Sequence, residues 1–195
     1  MNILIPRTES EIEFAYEKLS KAIVLGCDTE TGGLDPRYGA LYSVQFSDGD
    51  LNVLVPNSEG VRLGKLAEIL QNTAITKIFH NAKFDLGFLQ ANGYQTKNVY
   101  DTMIAEKVLT RGANQSVSLA ETLYRYFAVD LDKSQRKKFG RNWDKVWTDE
   151  LVQYALNDVA YLPKLMEEQM RWMESLGLDA EYGIQIEKVL SAIDQ

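Results

Sequence analysis

Acidic side chains at the ends of apolar segments are the residues of this chain most able to do chemistry. Asp28 and Glu30 follow the apolar run 22–27 and are separated by a single residue. Residues two apart in a strand lie on the same face, so the two carboxylates are expected side by side. Neighbouring carboxylates repel each other, and one takes up a proton unless a cation lies between them. The pair predicts a cation or acid–base site, although two exposed loop acids fit the same pattern.

Two further acids lie at helical spacing from a polar neighbour. Asp85 comes after a second apolar run, 75–79, and four residues after Asn81. Asp158 comes four residues after Tyr154 in a segment with helical periodicity. Residues four apart share a helix face, so each carboxylate is expected close to its partner. Taken singly, each acid also fits a solvated surface residue, and Tyr154 fits a half-buried packing residue.

The side chains available as metal ligands at these positions offer oxygen. The chain has one cysteine, Cys27, and one histidine, His80, which excludes an internal disulfide, a cysteine-rich zinc site and catalysis by two histidines. Four carboxylates without a soft ligand suit Mg²⁺ or Mn²⁺ rather than zinc. Two such ions, roughly 4 Å apart, can stabilise the attacking and leaving oxygens of a phosphodiester during hydrolysis.

The elements that position these residues belong to an α/β fold. Continuous or alternating apolar runs predict strands early in the chain, and helical periodicity dominates afterwards. A sheet with helices packed around it follows from this order. Capping residues are expected at Thr8, Asp101 and Thr148. The predicted strands are 22–28, 41–47, 51–55 and 75–79, and the predicted helices are 8–21, 63–70, 81–91, 101–109, 118–127, 148–157, 158–176 and 180–193.

Composition agrees with one soluble globular domain. The chain has 195 residues, of which 45% are hydrophobic and 25% charged. No apolar run approaches the ~18 residues of a membrane span, so no membrane partner is expected. The first residues lack the pattern of a signal peptide. Together with the single cysteine, these features predict the cytoplasm or an equivalent reducing compartment.

The charge is unevenly distributed along the sequence. The net charge is −7, but residues 133–145, which we call the basic strip, carry six basic residues and one acid. The strip is therefore +5 and the remainder −12, so the surface is expected to be polarised. The strip could bind phosphates or form a solvated loop. The candidate phosphate contacts within it are Arg136, Lys137 and Lys138.

The order of the acidic motifs resembles the DEDD (DnaQ-like) 3′–5′ exonucleases. The resemblance covers residues 20–175 and is closest to the tyrosine branch, which includes the proofreading domain of bacterial DNA polymerase I and the catalytic domain of ribonuclease D. The histidine branch needs a histidine five residues before the last aspartate, where this chain has Gln153. The segments that carry the resemblance are 28–34, 80–85, 101–103 and 154–162.

This resemblance implies a ribonuclease-H-like fold, with a mixed five-stranded sheet in which one strand is antiparallel. It implies one exonuclease domain over residues 1–195, with a C-terminal helical extension over 180–195. It also implies two divalent cations, Mg²⁺ or Mn²⁺. By motif position, Asp28 bridges both ions, Glu30 and Asp158 hold the ion that activates water, Asp85 holds the second, and Tyr154 orients the water.

The family further implies contacts to the substrate. Leu34 lies where relatives place a wedge against the terminal base, or it is a loop leucine over the core. Phe88 stacks on a base or packs in the core, and Asn81 contacts the substrate or caps its own helix.

Release of nucleoside 5′-monophosphates from single-stranded or frayed 3′ ends is the activity expected from the family. We expect DNA to be favoured over RNA, because the accessory domains of ribonuclease D are absent, the tail resembles the segment leading into a polymerase, and Leu34 lies at the wedge position of the polymerase-type relatives. Two alternatives stay open, an RNA-specific ribonuclease D-like enzyme and a nucleic-acid-binding domain that does not cut. A polymerase or helicase module, in cis or in trans, is the expected protein partner.

Overall fold

A six-stranded mixed sheet forms the centre of the computed structural model, which describes residues 2–111, 113–131, 134, 138–140 and 143–193. The strand order is β1-β4-β3-β2-β5-β6. β3 pairs antiparallel with both of its neighbours, and the other pairs are parallel. The predicted α/β class and the single antiparallel strand are confirmed. The strands are β1 (Asn2–Leu4), β2 (Val24–Thr31), β3 (Leu41–Ser47), β4 (Leu51–Val55), β5 (Thr76–Phe79) and β6 (Val99–Asp101).

The sheet has one strand more than the five that the family resemblance implies. The two strands without a sequence signal, β1 and β6, have three residues each and form the two edges of the sheet. Runs this short show no usable periodicity. The apolar run at β1 has only three residues, Ile3 to Ile5, and Asn2 and Ile3 are exposed.

Eight α-helices are assigned within the described residues, and the caps predicted at Thr8, Asp101 and Thr148 are confirmed. Thr8 forms a capping box with Glu11, and the Thr148 side chain accepts a hydrogen bond from the N–H of Leu151. The helices are α1 (Glu9–Leu19), α2 (Leu66–Gln71), α3 (Ala82–Ala91), α4 (Thr102–Thr110), α5 (Leu119–Phe127), α6 (Asp149–Ala160), α7 (Leu162–Leu176) and α8 (Asp179–Ser191). None of these helices is long and apolar enough to cross a membrane.

The continuous helix predicted over 158–176 is wrong. The structure ends α6 at Ala160 and begins α7 at Leu162, with Tyr161 between them and Pro163 in the first turn of α7. Proline has no N–H to donate and clashes with the preceding turn inside a helix, but it is tolerated in a first turn. The break lets α6 and α7 each contact β2.

Two hydrophobic cores cover the two faces of the sheet. The first packs α1, α2 and α3 against one face, and the second packs α4, α6 and α7 against the other. Alternate residues of β2 serve the two faces. Leu25 and Cys27 belong to the first core, so Asp28 and Glu30 point toward the side covered by α6.

A glycine on β2 allows α6 to lie directly on the sheet. A Cβ atom added at Gly26 would come 2.4 Å from the carbonyl oxygen of Val159, much closer than atoms approach without displacement. Gly26 is two residues from Asp28, and Val159 is next to Asp158. The close approach at this glycine therefore brings the carboxylates of the strand and the helix together.

We expect Gly26→Ala to destabilise the protein and to displace Asp158. Overpacking a well-filled contact costs roughly 1–3 kcal/mol of unfolding free energy. Urea unfolding measures this loss. Gly183→Ala on α8 is the matched control, because nothing lies within 4 Å of its added Cβ. That change should raise stability slightly through helix propensity. Equal stability of Gly26→Ala and wild type would contradict the close approach.

Candidate active site

Three carboxylates meet at the C-terminal half of β2. One oxygen from each of Asp28, Glu30 and Asp158 lies within 4.8 Å of the others. In the register of the sheet, Asp28 is opposite Gln45 and Glu30 is opposite Ser43 on β3. The helix α6 contributes Asp158 from above this face. Among the described residues, this is the one group whose ligand atoms are arranged to hold a metal ion.

Asp85 approaches the same place from the first turn of α3. Its side chain is buried, and its Oδ1 accepts a 2.6 Å hydrogen bond from the hydroxyl of Thr29. Thr29 lies between Asp28 and Glu30 and points to the opposite face of β2. Asp85 is outside the group of three carboxylates but lines the same cleft. The sequence analysis missed Thr29, although its place between the two acids was a usable signal.

The electrostatics of the site favour a bound cation. Burial raises the pKa of Asp28 well above its ordinary value, and the negative charges of Asp85 and Asp158 raise it further. Burial also raises the pKa of Asp85 to about 7, although the hydrogen bond from Thr29 opposes the shift. A divalent cation would remove the repulsion between these carboxylates. Oxygen ligands of this kind fit Mg²⁺ or Mn²⁺.

The carboxylates lie in an open cleft of about 640 Å³. Tyr154 lines it from α6, one turn before Asp158, and is half-buried. Its ring lies 6.0 Å from that of Phe139 and belongs to an aromatic cluster that also contains Trp143 and Trp147. The sequence-predicted acids and the tyrosine therefore share one cavity.

Leu34 and Asn81 lie at the edge of this cleft. Leu34 is 83% exposed, so it does not cover the core. Its proposed contact with a terminal base stays a prediction. Asn81 is the exposed N-cap residue of α3 in a left-handed conformation, with φ 74°, and its side chain makes no capping hydrogen bond. The suggestion that its side chain caps α3 is therefore wrong.

The predicted base contact of Phe88 is wrong. Phe88 is fully buried in the first core and points toward Gly39, where an added Cβ would meet its ring at 3.0 Å. The aromatic residue of α3 that lines the cleft is Phe84, whose ring centre lies 5.1 Å from that of Phe88. Both phenylalanines are on the helix that carries Asp85, and only the packing of α3 on the sheet distinguishes them.

Part of the basic strip lies outside the described residues. Arg136 and Lys137 are among these, so their predicted phosphate contacts stay predictions. Lys138 is exposed and directly precedes Phe139 and Gly140, which line the cleft. The strip is therefore continuous in sequence with the wall of the candidate site.

His80 lines the cleft, and Asp101 supports the elements that carry the site. His80 Nδ1 lies 2.9 Å from the hydroxyl oxygen of Thr102, and burial lowers the pKa of the imidazole to about 4. The imidazole is therefore neutral at neutral pH, as a structural residue would be. The Asp101 carboxylate accepts the predicted capping bonds from α4, and it also accepts two bonds from the start of α3. The second capping role had no sequence signal.

Comparison with known proteins gives relatives for most of the chain. A family described as 3′–5′ exonuclease matches residues 3–172. Ribonuclease D of Bartonella henselae is 28% identical over 165 residues, covering 83% of this chain and 39% of the relative. DNA polymerase I of Aquifex aeolicus is 28% identical over 185 residues, covering 94% of this chain and 30% of the relative. The chain thus spans about 30–40% of the length of these relatives.

A solved structure covers the chain more evenly. Brucella melitensis NrnC with bound Mg²⁺ is 27% identical, with a TM-score of 0.76, and the match covers 89% of this chain and 85% of that one. The same protein has been solved bound to pGG, with a TM-score of 0.78. The expected preference for DNA finds no support here, because the matches are mostly to ribonuclease D and NrnC.

Proposed function

Because this chain belongs to the 3′–5′ exonuclease family that its residues 3–172 match, we propose that it hydrolyses single-stranded nucleic acid from the 3′ end and releases nucleoside 5′-monophosphates. The observation that carries the proposal is the meeting of Asp28, Glu30 and Asp158 within 4.8 Å in an open cleft. Such a cluster of carboxylates is unfavourable without a cation.

The roles of the residues follow from their places in the cleft. Asp28, Glu30, Asp158 and Asp85 hold Mg²⁺ or Mn²⁺. When bound, the cations stabilise charge on the attacking and leaving oxygens. NrnC, solved with Mg²⁺, supports this choice of metal. Tyr154 orients the attacking water through its hydroxyl. The cleft lies in the size range of small-ligand sites, so it accommodates terminal nucleotides rather than a long duplex.

RNA is the substrate that we propose, in place of the DNA favoured by the sequence analysis. The support comes from the relatives that are ribonuclease D, including that of Bartonella henselae at 28% identity. DNA is the second candidate, because DNA polymerase I of Aquifex aeolicus is 28% identical. Hydrogen bonds to the ribose 2′-hydroxyl would distinguish the two sugars.

One assay tests the activity, the metal and the sugar. RNA and DNA oligomers of one sequence, labelled at the 5′ end, are digested with Mg²⁺ or with EDTA. We expect a ladder that shortens one nucleotide at a time, faster for RNA by about tenfold, since a lost hydrogen bond to a polar site costs about 1–1.5 kcal/mol. Cleavage should stop in EDTA.

Each arm of this assay has an outcome that contradicts one part of the proposal. Full activity in EDTA would refute the metal site. Internal cuts in either oligomer would refute the exonuclease assignment. Faster digestion of the DNA oligomer would reverse the choice of sugar while leaving the reaction unchanged.

A further inference from the structure

The C-terminal helix α8 contacts the backbone behind the candidate site. It packs against α4 and α7. The hydroxyl of Tyr182 on this helix accepts a 2.9 Å hydrogen bond from the N–H of Asp101, and the Tyr182 ring lies 4.9 Å from that of Tyr100. Asp101 ends the edge strand β6, and no strand of the described part of the chain lies on its outer side. Tyr182 therefore supplies the acceptor that a further strand would otherwise provide.

Asp101 is the residue through which this contact reaches the site. Its side chain is 1% exposed. Its Oδ2 accepts a 2.7 Å bond from the N–H of Ala82, and its Oδ1 accepts a 3.1 Å bond from the N–H of Asn81. Its Oδ1 also accepts hydrogen bonds from the N–H groups of Met103 and Ile104. One buried carboxylate thus fixes the first turns of both α3 and α4.

Asp85 lies in the first turn of α3, which Asp101 anchors. A ligand in a metal site must hold its position to within about 0.5 Å, and this depends on the residues that support it. A shift of the backbone at Asp101 would move the start of α3, and Asp85 would move with it. The bond from Tyr182 to Asp101 opposes such a shift.

We propose that Tyr182 is a positioning residue that holds Asp85 in place through Asp101. The inference rests on the proposed function, in which Asp85 is a metal ligand. The family match ends at residue 172, so Tyr182 belongs to a helix beyond the matched region. In this proposal, α8 is part of the nuclease site rather than a separate extension.

The variant Tyr182→Phe tests the proposal because it keeps the ring and removes only the hydroxyl. We expect the Mg²⁺ concentration for half-maximal activity to rise by about three- to tenfold. Tyr182 acts on Asp85 only through Asp101, so this effect should be no larger than that of losing a residue that hydrogen-bonds directly to a metal ligand. The value of kcat should fall at low Mg²⁺, and KM for the oligonucleotide should stay constant. Mn²⁺ binding without nucleic acid, followed by electron paramagnetic resonance, should weaken by the same factor.

Tyr100→Phe is the matched control. The Tyr100 hydroxyl is buried and has no hydrogen-bond partner among the described residues, so its removal should leave Mn²⁺ binding at the wild-type value. Both variants are compared at a temperature at which circular dichroism shows them folded. If Tyr182→Phe binds Mn²⁺ as tightly as Tyr100→Phe, the positioning role is overturned. If wild type binds Mn²⁺ but does not cut, the proposed function fails, and the comparison of Mn²⁺ binding still decides the role of Tyr182.

Discussion

Asp28→Ala is expected to lower kcat/KM by at least about a thousandfold, or roughly 4 kcal/mol of transition-state stabilisation. Asp28 is the carboxylate at the centre of the site. It belongs to the group of three within 4.8 Å, and its pKa is raised by Asp85 as well as by Asp158. Its removal therefore weakens the site for both cations. Steady-state cleavage of the labelled oligomer measures the loss.

The same variant should remain folded, and this distinguishes a metal ligand from a structural residue. Without metal, Asp28 brings a buried charge close to other carboxylates, so its removal should leave the unfolding free energy unchanged or higher. Mg²⁺ should raise the melting temperature of wild type, because it binds only the folded state, and should raise that of the variant much less. Loss of the circular dichroism signal in Asp28→Ala would make the residue structural.

Glu13→Ala is the control for the loss of one negative charge. Glu13 is exposed on α1, which packs on the face of the sheet opposite α6, and it does not line the cleft. Its replacement should change neither the cleavage rate nor the response of the melting temperature to Mg²⁺. A comparable loss of activity in this variant would point to long-range electrostatics rather than to a ligand.

The spacing of acidic residues predicted which side chains share a face within one element, and the family resemblance predicted that these elements meet in one site. Asp28 and Glu30 share a face because they are two apart in β2, and Tyr154 shares a face with Asp158 because they are four apart in α6. These relations depend only on local geometry. The relative placement of strand and helix was not visible in the sequence. It depends on Gly26, whose missing Cβ admits the backbone of Val159.

Predictions failed where packing between distant segments decides the outcome. Phe84 and Phe88 have similar local sequence signals, but the contact of Phe88 with the segment around Gly39 buries it and leaves Phe84 at the cleft. The bond from Asp101 to Tyr182 joins residues 81 positions apart. Periodicity and capping rules describe residues that are close in sequence, so they do not predict contacts over such separations.

The acidic motifs do not determine whether the substrate is DNA or RNA. In the proposed function, those residues hold cations and water, which would act on a phosphodiester in either polymer. Discrimination requires a group that contacts the 2′-hydroxyl. The expectation of DNA rested on absent accessory domains, a resemblance of the tail and the wedge position of Leu34. None of these observations concerns a contact with the 2′-hydroxyl, so none could decide between the two sugars.

Tyr154→Phe is expected to lower kcat by roughly ten- to a thousandfold, the range for positioned groups that handle protons. The phenol lines the cleft one turn before Asp158, and the ring lies in the aromatic cluster with Phe139. The substitution removes the hydroxyl and keeps the ring, so the packing of α6 should be preserved. Because water rather than the oligonucleotide is positioned by the phenol, KM should change little.

Tyr124→Phe provides the comparison for the loss of a tyrosine hydroxyl. Tyr124 is 61% exposed on α5 and does not line the cleft, so its variant should match wild type in kcat and stability. A fall in kcat confined to Tyr154→Phe, with Mg²⁺ dependence unchanged, would assign the phenol to the water rather than to the cations. An accompanying rise in the Mg²⁺ requirement would place its effect on the carboxylates instead. An unchanged kcat would leave Tyr154 as a packing residue of the aromatic cluster that contains Phe139.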